Sequence, residues 1–175
     1  MMKSGMKHLS SLALAGLLVT PLPPWPPADA EEAGGSGSGP VAVIINAANK
    51  SADPSFDQLA AMLRLEKQFW PDGKRVVLLL PPTGSMAKNV LLQKVYHRTD
   101  PQLRQDWARR LFAGEIPAVP TTLRTVDAQV AAVTRSAGAI TVVPAKALLP
   151  AGVRVLAVEG KRPGEPGYRL SADEP

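Results

Sequence analysis

Apolar positions along this chain fall into short continuous runs separated by stretches that repeat with a helical period. "VAVIINAAN", Val41 to Asn49, is rich in β-branched residues and followed by a turn signal, which predicts a buried strand. Next comes a segment in which Phe56, Leu59, Ala60 and Leu63 recur at helical spacing, with Ser55 placed to cap it. Pro71-Asp72-Gly73 predicts a turn. "RVVLLL", Arg75 to Leu80, predicts a second strand, too continuously apolar to be open to water on one face.

From Ser85 the period becomes helical again. Met86 and Val90, Leu91 and Val95, and Leu92 and Tyr96 pair at i,i+4, while Lys88, Gln93, Lys94 and His97 fall elsewhere. Asp100 and Pro101 predict the start of another helix, with a buried stripe of Leu103, Trp107 and Leu111 and a C-terminal cap at Gly114. "IPAVPTTLRT" reads as a proline-broken loop. Thr125 then caps a helix expected to end at Gly138, and "AITVVPA" and "VRVLAVEG" predict two more strands. The Pro/Gly-rich residues from Lys161 onward read as a loose tail over 161–175. Strands alternating with helices predict an α/β fold: one three-layer domain over 41–160 with a mixed, mostly parallel sheet.

Composition adds an address. Lys3 and Lys7 precede the apolar stretch "LSSLALAGLLVT", and Ala28-Asp29-Ala30 fits the small-x-small rule, so residues 1–30 are expected to be a signal peptide cleaved after Ala30. The prolines of "PLPPWPP" leave an uncleaved N-terminal anchor as the alternative. "EEAGGSGSGP", 31–40, reads as a Gly/Ser-rich linker. The expected location is periplasmic or secreted. The chain has no cysteine, so neither a disulfide nor a thiolate metal site can form. Its net charge of +5 favours acidic partners, oxyanions among them. Nucleic acid is not expected, because the positive residues are scattered among acids without aromatic interleaving.

Candidate chemistry is sparse. His97 is the only histidine after residue 30, and it stands beside Arg98 at a helix end as a surface residue. One histidine without cysteines or clustered carboxylates cannot assemble a metal sphere. No G-x-S-x-G elbow and no G-x-x-x-x-G-K loop is present. The reading is of a non-enzyme without a cofactor. Trp70 and Trp107 are expected in the core, and Arg104, Arg109 and Arg110 on a solvated helix face. The one stretch resembling a site is Thr83-Gly84-Ser85, a turn between strand and helix. Ser85 there caps the helix, and an anion can use the same N–H groups of Met86 and its successors, aided by Lys88.

Leu59-Ala60…Met62-Leu63, Trp70-Pro71-Asp72-Gly73, Val76 to Ser85, Trp107…Phe112-Ala113-Gly114 and "VAAVTRSAGAITVV" follow one another in an order found in a known family. Over Asp53 to Ala145 the chain resembles the phosphate ABC transporter substrate-binding proteins, specifically a short, single-lobe subgroup. The resemblance implies one lobe of a type II periplasmic-binding fold. It also implies phosphate or a related oxyanion as ligand, at Thr83, Gly84, Ser85, Met86 and Lys88, and an ABC permease or another envelope protein as partner. Full-length members carry a turn like R-x-D-G-S-G-T, whereas this chain has "LPPTGSMAK", without the Arg and Asp. A lobe fold kept for envelope interaction, without free ligand, is the alternative.

Overall fold

The computed structural model describes residues 39–172. The expected signal peptide and all of the linker before Gly39 lie outside the described residues.

In chain order the elements are β1 (Val41–Asn46), α1 (Phe56–Leu63), β2 (Val77–Leu80), α2 (Met86–Leu91) running on into a π-helical turn (Leu92–Tyr96), α3 (Asp100–Phe112), β3 (Thr121–Thr122), α4 (Val126–Arg135), β4 (Ala139–Pro144) and β5 (Val153–Leu156). Among the described residues they form a five-stranded sheet of order β3-β2-β4-β1-β5. β2 pairs in parallel with β3 and with β4, while β1 is antiparallel to both β4 and β5. Four strands therefore point one way and β1 alone runs against them, as a mixed, mostly parallel sheet requires.

Both faces are covered, which explains the continuous apolar runs. Val41, Val43 and Ile45 of β1, with Leu78, Leu80, Ile140 and Val142, pack with α1, α2 and α3. Ala42 and Ile44, with Leu79 and Val143, face the other way onto Val130 and Val133 of α4. This period-two division makes the three layers. Each fully buried Val, Leu or Ile contributes about 1.5–3 kcal/mol. α1 starts as expected: Ser55 Oγ accepts from Gln58 N, and the Gln58 side chain accepts from Ser55 N, completing a capping box.

Several boundaries differ from the sequence expectation. β2 begins at Val77, because Val76 N donates to Gln68 O and Arg75 pairs with Phe69 in a hairpin around Pro71–Gly73. The proline-broken loop contributes β3, whose two residues extend the sheet beside Leu79 and Leu80. α4 ends at Arg135 rather than Gly138, its last carbonyls held by Asn46 Nδ2, which donates to Val133 O and Thr134 O. In α3 Leu103 and Trp107 are buried, but Leu111 is 37% exposed, while Ile116 of the following loop is buried.

The loose tail is also corrected. Val41 N donates to Leu170 O at 3.0 Å, Tyr168 Oη donates to Val41 O at 2.9 Å, and both Tyr168 and Leu170 are buried. The segment to residue 172 is thus part of the folded domain, pinned to the first residue of β1.

The two tyrosines give a pH prediction. Burial raises the phenols of both tyrosines, Tyr168 to about 12, and Tyr96 also donates to Leu63 O at 2.8 Å. A raised pKa means the folded state keeps protons that the unfolded chain releases near its ordinary value of 10.0. The stability this supplies is fully present below that pH and is lost as pH rises through the folded values. Spectrophotometric titration is expected to show no tyrosinate until alkaline unfolding, and both phenols then ionising together. Ionisation of either near pH 10 in the folded protein would refute it.

Candidate functional site

The turn after β2 is closed by Ser85 N donating to Pro82 O at 3.1 Å. Gly84, the third residue of that turn, has φ +80, which matches a type II turn and favours glycine there. Thr83 and Gly84 are exposed at the tip. Ser85 caps α2: its Oγ accepts from Lys88 N at 3.2 Å and donates to Pro82 O at 2.7 Å. The cap is therefore present, and the serine hydroxyl proton is engaged by the turn itself. The N–H groups of Met86 and Ala87 belong to the first turn of α2, where no intrahelical carbonyl reaches them.

Lys88 is not at the turn's service. Its side chain is 2% exposed, and its Nζ lies 3.2 Å from Asp100 Oδ1 at the start of α3. Burial lowers its pKa, with Asp100 pulling the other way. Arg104 also holds Asp100 from one turn further along α3. The lysine expected to aid an anion instead ties α2 to α3.

The structure adds a neighbour that the sequence does not reveal. β3 lies parallel beside β2, and Leu123 N donates to Leu80 O at 3.0 Å, so the loop Leu123–Thr125 leaves the same sheet edge as the Thr83–Ser85 turn. There Thr125 Oγ1 caps α4 by accepting from Ala128 N, and Arg124 is exposed between cap and strand. Two capped helix starts and one arginine thus share the edge beyond the carboxyl ends of β2 and β3, the kind of edge where open α/β sheets hold ligands. With β3 read as loop, Arg124 had no address.

His97 is exposed at φ +50 and ends the π-helical turn, its N–H donating to Leu92 O. Trp70 and Trp107 are core residues; Trp70 Nε1 donates to Gly138 O at 2.9 Å, and Trp107 meets Tyr96 edge-on at 6.0 Å. Arg104 and Arg109 are exposed and pair with Asp100 and Asp106. Arg110 departs from the expected solvated face. Its side chain is 13% exposed, lies over the Trp107 ring and donates to Arg64 O and Leu65 O, so it caps the end of α1. Among the described residues no three His, Asp or Glu side chains gather to hold a metal ion, and no helix is long and apolar enough to cross a membrane.

No family model matches the sequence, and no curated protein does. Solved structures do match in fold. An ABC-type phosphate transport receptor from Vibrio cholerae superposes with a TM-score of 0.60 at 11% identity, covering 76% of this chain and 53% of that one. A chain assigned as a phosphate ABC transporter substrate-binding protein from Clostridium perfringens, with bound phosphate, gives 0.54 at 13% identity, covering 71% and 46%. PstS from Borrelia burgdorferi gives 0.55 at 14% identity, covering 71% and 49%. The chain thus spans about half the length of these proteins. The fold of this domain is that of one lobe of a PstS-like periplasmic binding protein.

Proposed function

We propose that this chain is an exported, non-enzymatic binding domain that takes a phosphate-type oxyanion at the edge formed by Thr83, Gly84, Ser85 and the N–H groups of Met86 and Ala87. The observation that carries this is the position of the turn. It stands at the carboxyl end of β2, on a capped helix start, in a fold shared with proteins described as phosphate receptors. Arg124, on the adjoining loop, supplies the positive charge that Lys88 does not.

Affinity at this site is weak by construction. About three hydrogen bonds to a charged ligand, at roughly 1.5 kcal/mol each, match a millimolar complex and no more. One lobe leaves the other side of the anion in water. Thermal-shift or calorimetric titration with phosphate and sulfate is expected to give a saturable millimolar response, reduced in Arg124→Gln. A folded protein that shows no response at tens of millimolar ligand, a concentration scale chosen around that order-of-magnitude affinity, rules the free-ligand reading out.

One observation favours a second reading. With Lys88 held by Asp100 and the Ser85 proton held by Pro82 O, the edge suits a surface completed by another protein, an ABC permease or another envelope component. Crosslinking in envelope extracts that recovers no stable complex counts against it.

A further inference from the structure

A second candidate site lies at the far end of α2 and its π-helical turn. α2 and its π-helical turn run eleven residues from Met86 to Tyr96, about 16 Å of helix away from the Thr83–Ser85 turn. There the end of α1, the end of the π-helical turn and one face of α3 enclose a cleft of about 340 Å³, lined among others by Arg64, Arg98, Trp107, Arg109 and Glu115. It continues into a wider groove along α3 past Gln102 and Gln105, sharing Arg98, Asp106 and Arg109.

Three features of this cleft point to a ligand class. The first is a donor without an acceptor. Trp107 is 2% exposed and its indole Nε1–H has no hydrogen-bond partner, a costly state for a buried polar group. The second is a guanidinium without a task. Arg64 bonds Glu66 and Val95 O, Arg109 bonds Asp106, and Arg110 bonds Arg64 O, Leu65 O and Glu115. The Arg98 side chain makes no hydrogen bond or ion pair among the described residues, and it is exposed. The third is the charge of the lining, where four arginines face Glu66, Asp106 and Glu115. The excess is one positive charge, which suits a monoanion and disfavours a dianion that would crowd three carboxylates.

We infer that this cleft binds a carboxylate, with the Arg98 fork on its two oxygens and the Trp107 indole N–H as the floor donor. A guanidinium fork matches a planar carboxylate in a bidentate manner. The exposed side chains of Arg98 and Arg109 form the rim, so closing Arg98 onto a ligand moves flexible atoms only. The amides of Gln102 and Gln105 along the adjoining groove offer both donors and acceptors, as a peptide backbone leading to a terminal carboxylate needs.

The test is nuclear magnetic resonance of the uniformly ¹⁵N-labelled full chain, the Trp107 Nε1–H resonance being assigned through its side chain. Titrants are acetate, a short peptide with a free C-terminus, the same peptide as its C-terminal amide, and inorganic phosphate. Acetate and the peptide acid are expected to shift the Trp107 resonance saturably, and the amide to leave it in place. Arg98→Gln is expected to weaken the response about tenfold while spectral dispersion is kept. A peptide acid at least about tenfold stronger than acetate identifies a chain terminus as the ligand; equal affinities identify a free small carboxylate. An indole that stays put with both carboxylates in a folded protein overturns the inference, as does an unweakened Arg98→Gln. Phosphate acting at the other sheet edge is read separately at the Gly84 amide, so failure of one site leaves the other's result intact.

Discussion

Gly138→Ala is expected to remove more than about 3 kcal/mol of stability, a large share of the roughly 5–15 kcal/mol a domain of this size possesses. A Cβ on Gly138 would stand 2.2 Å from the carbonyl oxygen of Arg75, and 3.4 Å from its carbonyl carbon. The obstruction is backbone, so no side chain can turn aside. Nor can Gly138 retreat cheaply, because its own carbonyl accepts from Val77 N and from Trp70 Nε1, both at 2.9 Å. Movement would break the first link between β2 and the β4 region and leave a buried indole donor unpaired. Gly152→Ala supplies the contrast, for its new Cβ would meet the Thr134 side-chain methyl at 2.8 Å, and turning that side chain gives up its bond to Val130 O without displacing backbone. Urea denaturation of both variants should separate them by about 2 kcal/mol or more. A Gly138→Ala protein within about 1 kcal/mol of wild type would show that the strand junction yields.

The second large effect is expected at Asp100. Asp100→Asn leaves the Lys88 ammonium buried without its carboxylate, and breaking a buried pair from one side costs about 3–5 kcal/mol. Asp100 is 15% exposed, so the lower end of that range applies. Replacing both partners is a different matter. Lys88→Met with Asp100→Asn removes the charge and keeps the volume, and is expected to be more stable than Asp100→Asn alone. The pH dependence separates a charge effect from a packing effect. Burial already holds Lys88 below its ordinary 10.5. A lysine depressed in the folded state destabilises it wherever the unfolded chain is still protonated, and the loss fades as pH rises toward 10.5. Without Asp100 the depression deepens, so the Asp100→Asn penalty should shrink between neutral pH and mildly alkaline pH. A penalty independent of pH would assign the loss to packing.

Much of the architecture is legible in the sequence because the signals are local. Ser55, Ser85 and Thr125 each sit three residues before the N–H they accept from, and the helices start where those residues predict. Runs such as Val41 to Ile45 and Leu78 to Leu80 are buried on both faces, as continuous hydrophobicity demands. What stays hidden depends on partners far along the chain. Lys88 falls on the polar side of its own helical period and is buried by Asp100, a contact no period of α2 encodes. Arg110 looks solvated beside Arg109 until the end of α1 arrives to be capped. β1 reads the same whether it runs with or against its neighbours, since a central strand is buried either way. The tail hides for another reason: Tyr168 and Leu170 are alternate apolar residues buried in the core, a short strand-like signal masked by surrounding Pro and Gly. At the candidate edge, Thr83 to Ser85 was legible because glycine and serine mark a turn and a cap. Arg124 was not, since a two-residue strand has no pattern to recognise.

The placement of β1 has a consequence for how the polypeptide reaches this state. Its partners are Pro144 to Ile140 on one side and Leu156 to Val153 on the other, and its first residue is latched by Tyr168 and Leu170. The first of the described strands to be synthesised thus has nothing to join until the last quarter of the chain exists. Such wide sequence separation slows folding, because the entropy of closing the long loop is lost before any pairing is gained. Assembly of the central sheet must follow synthesis rather than accompany it.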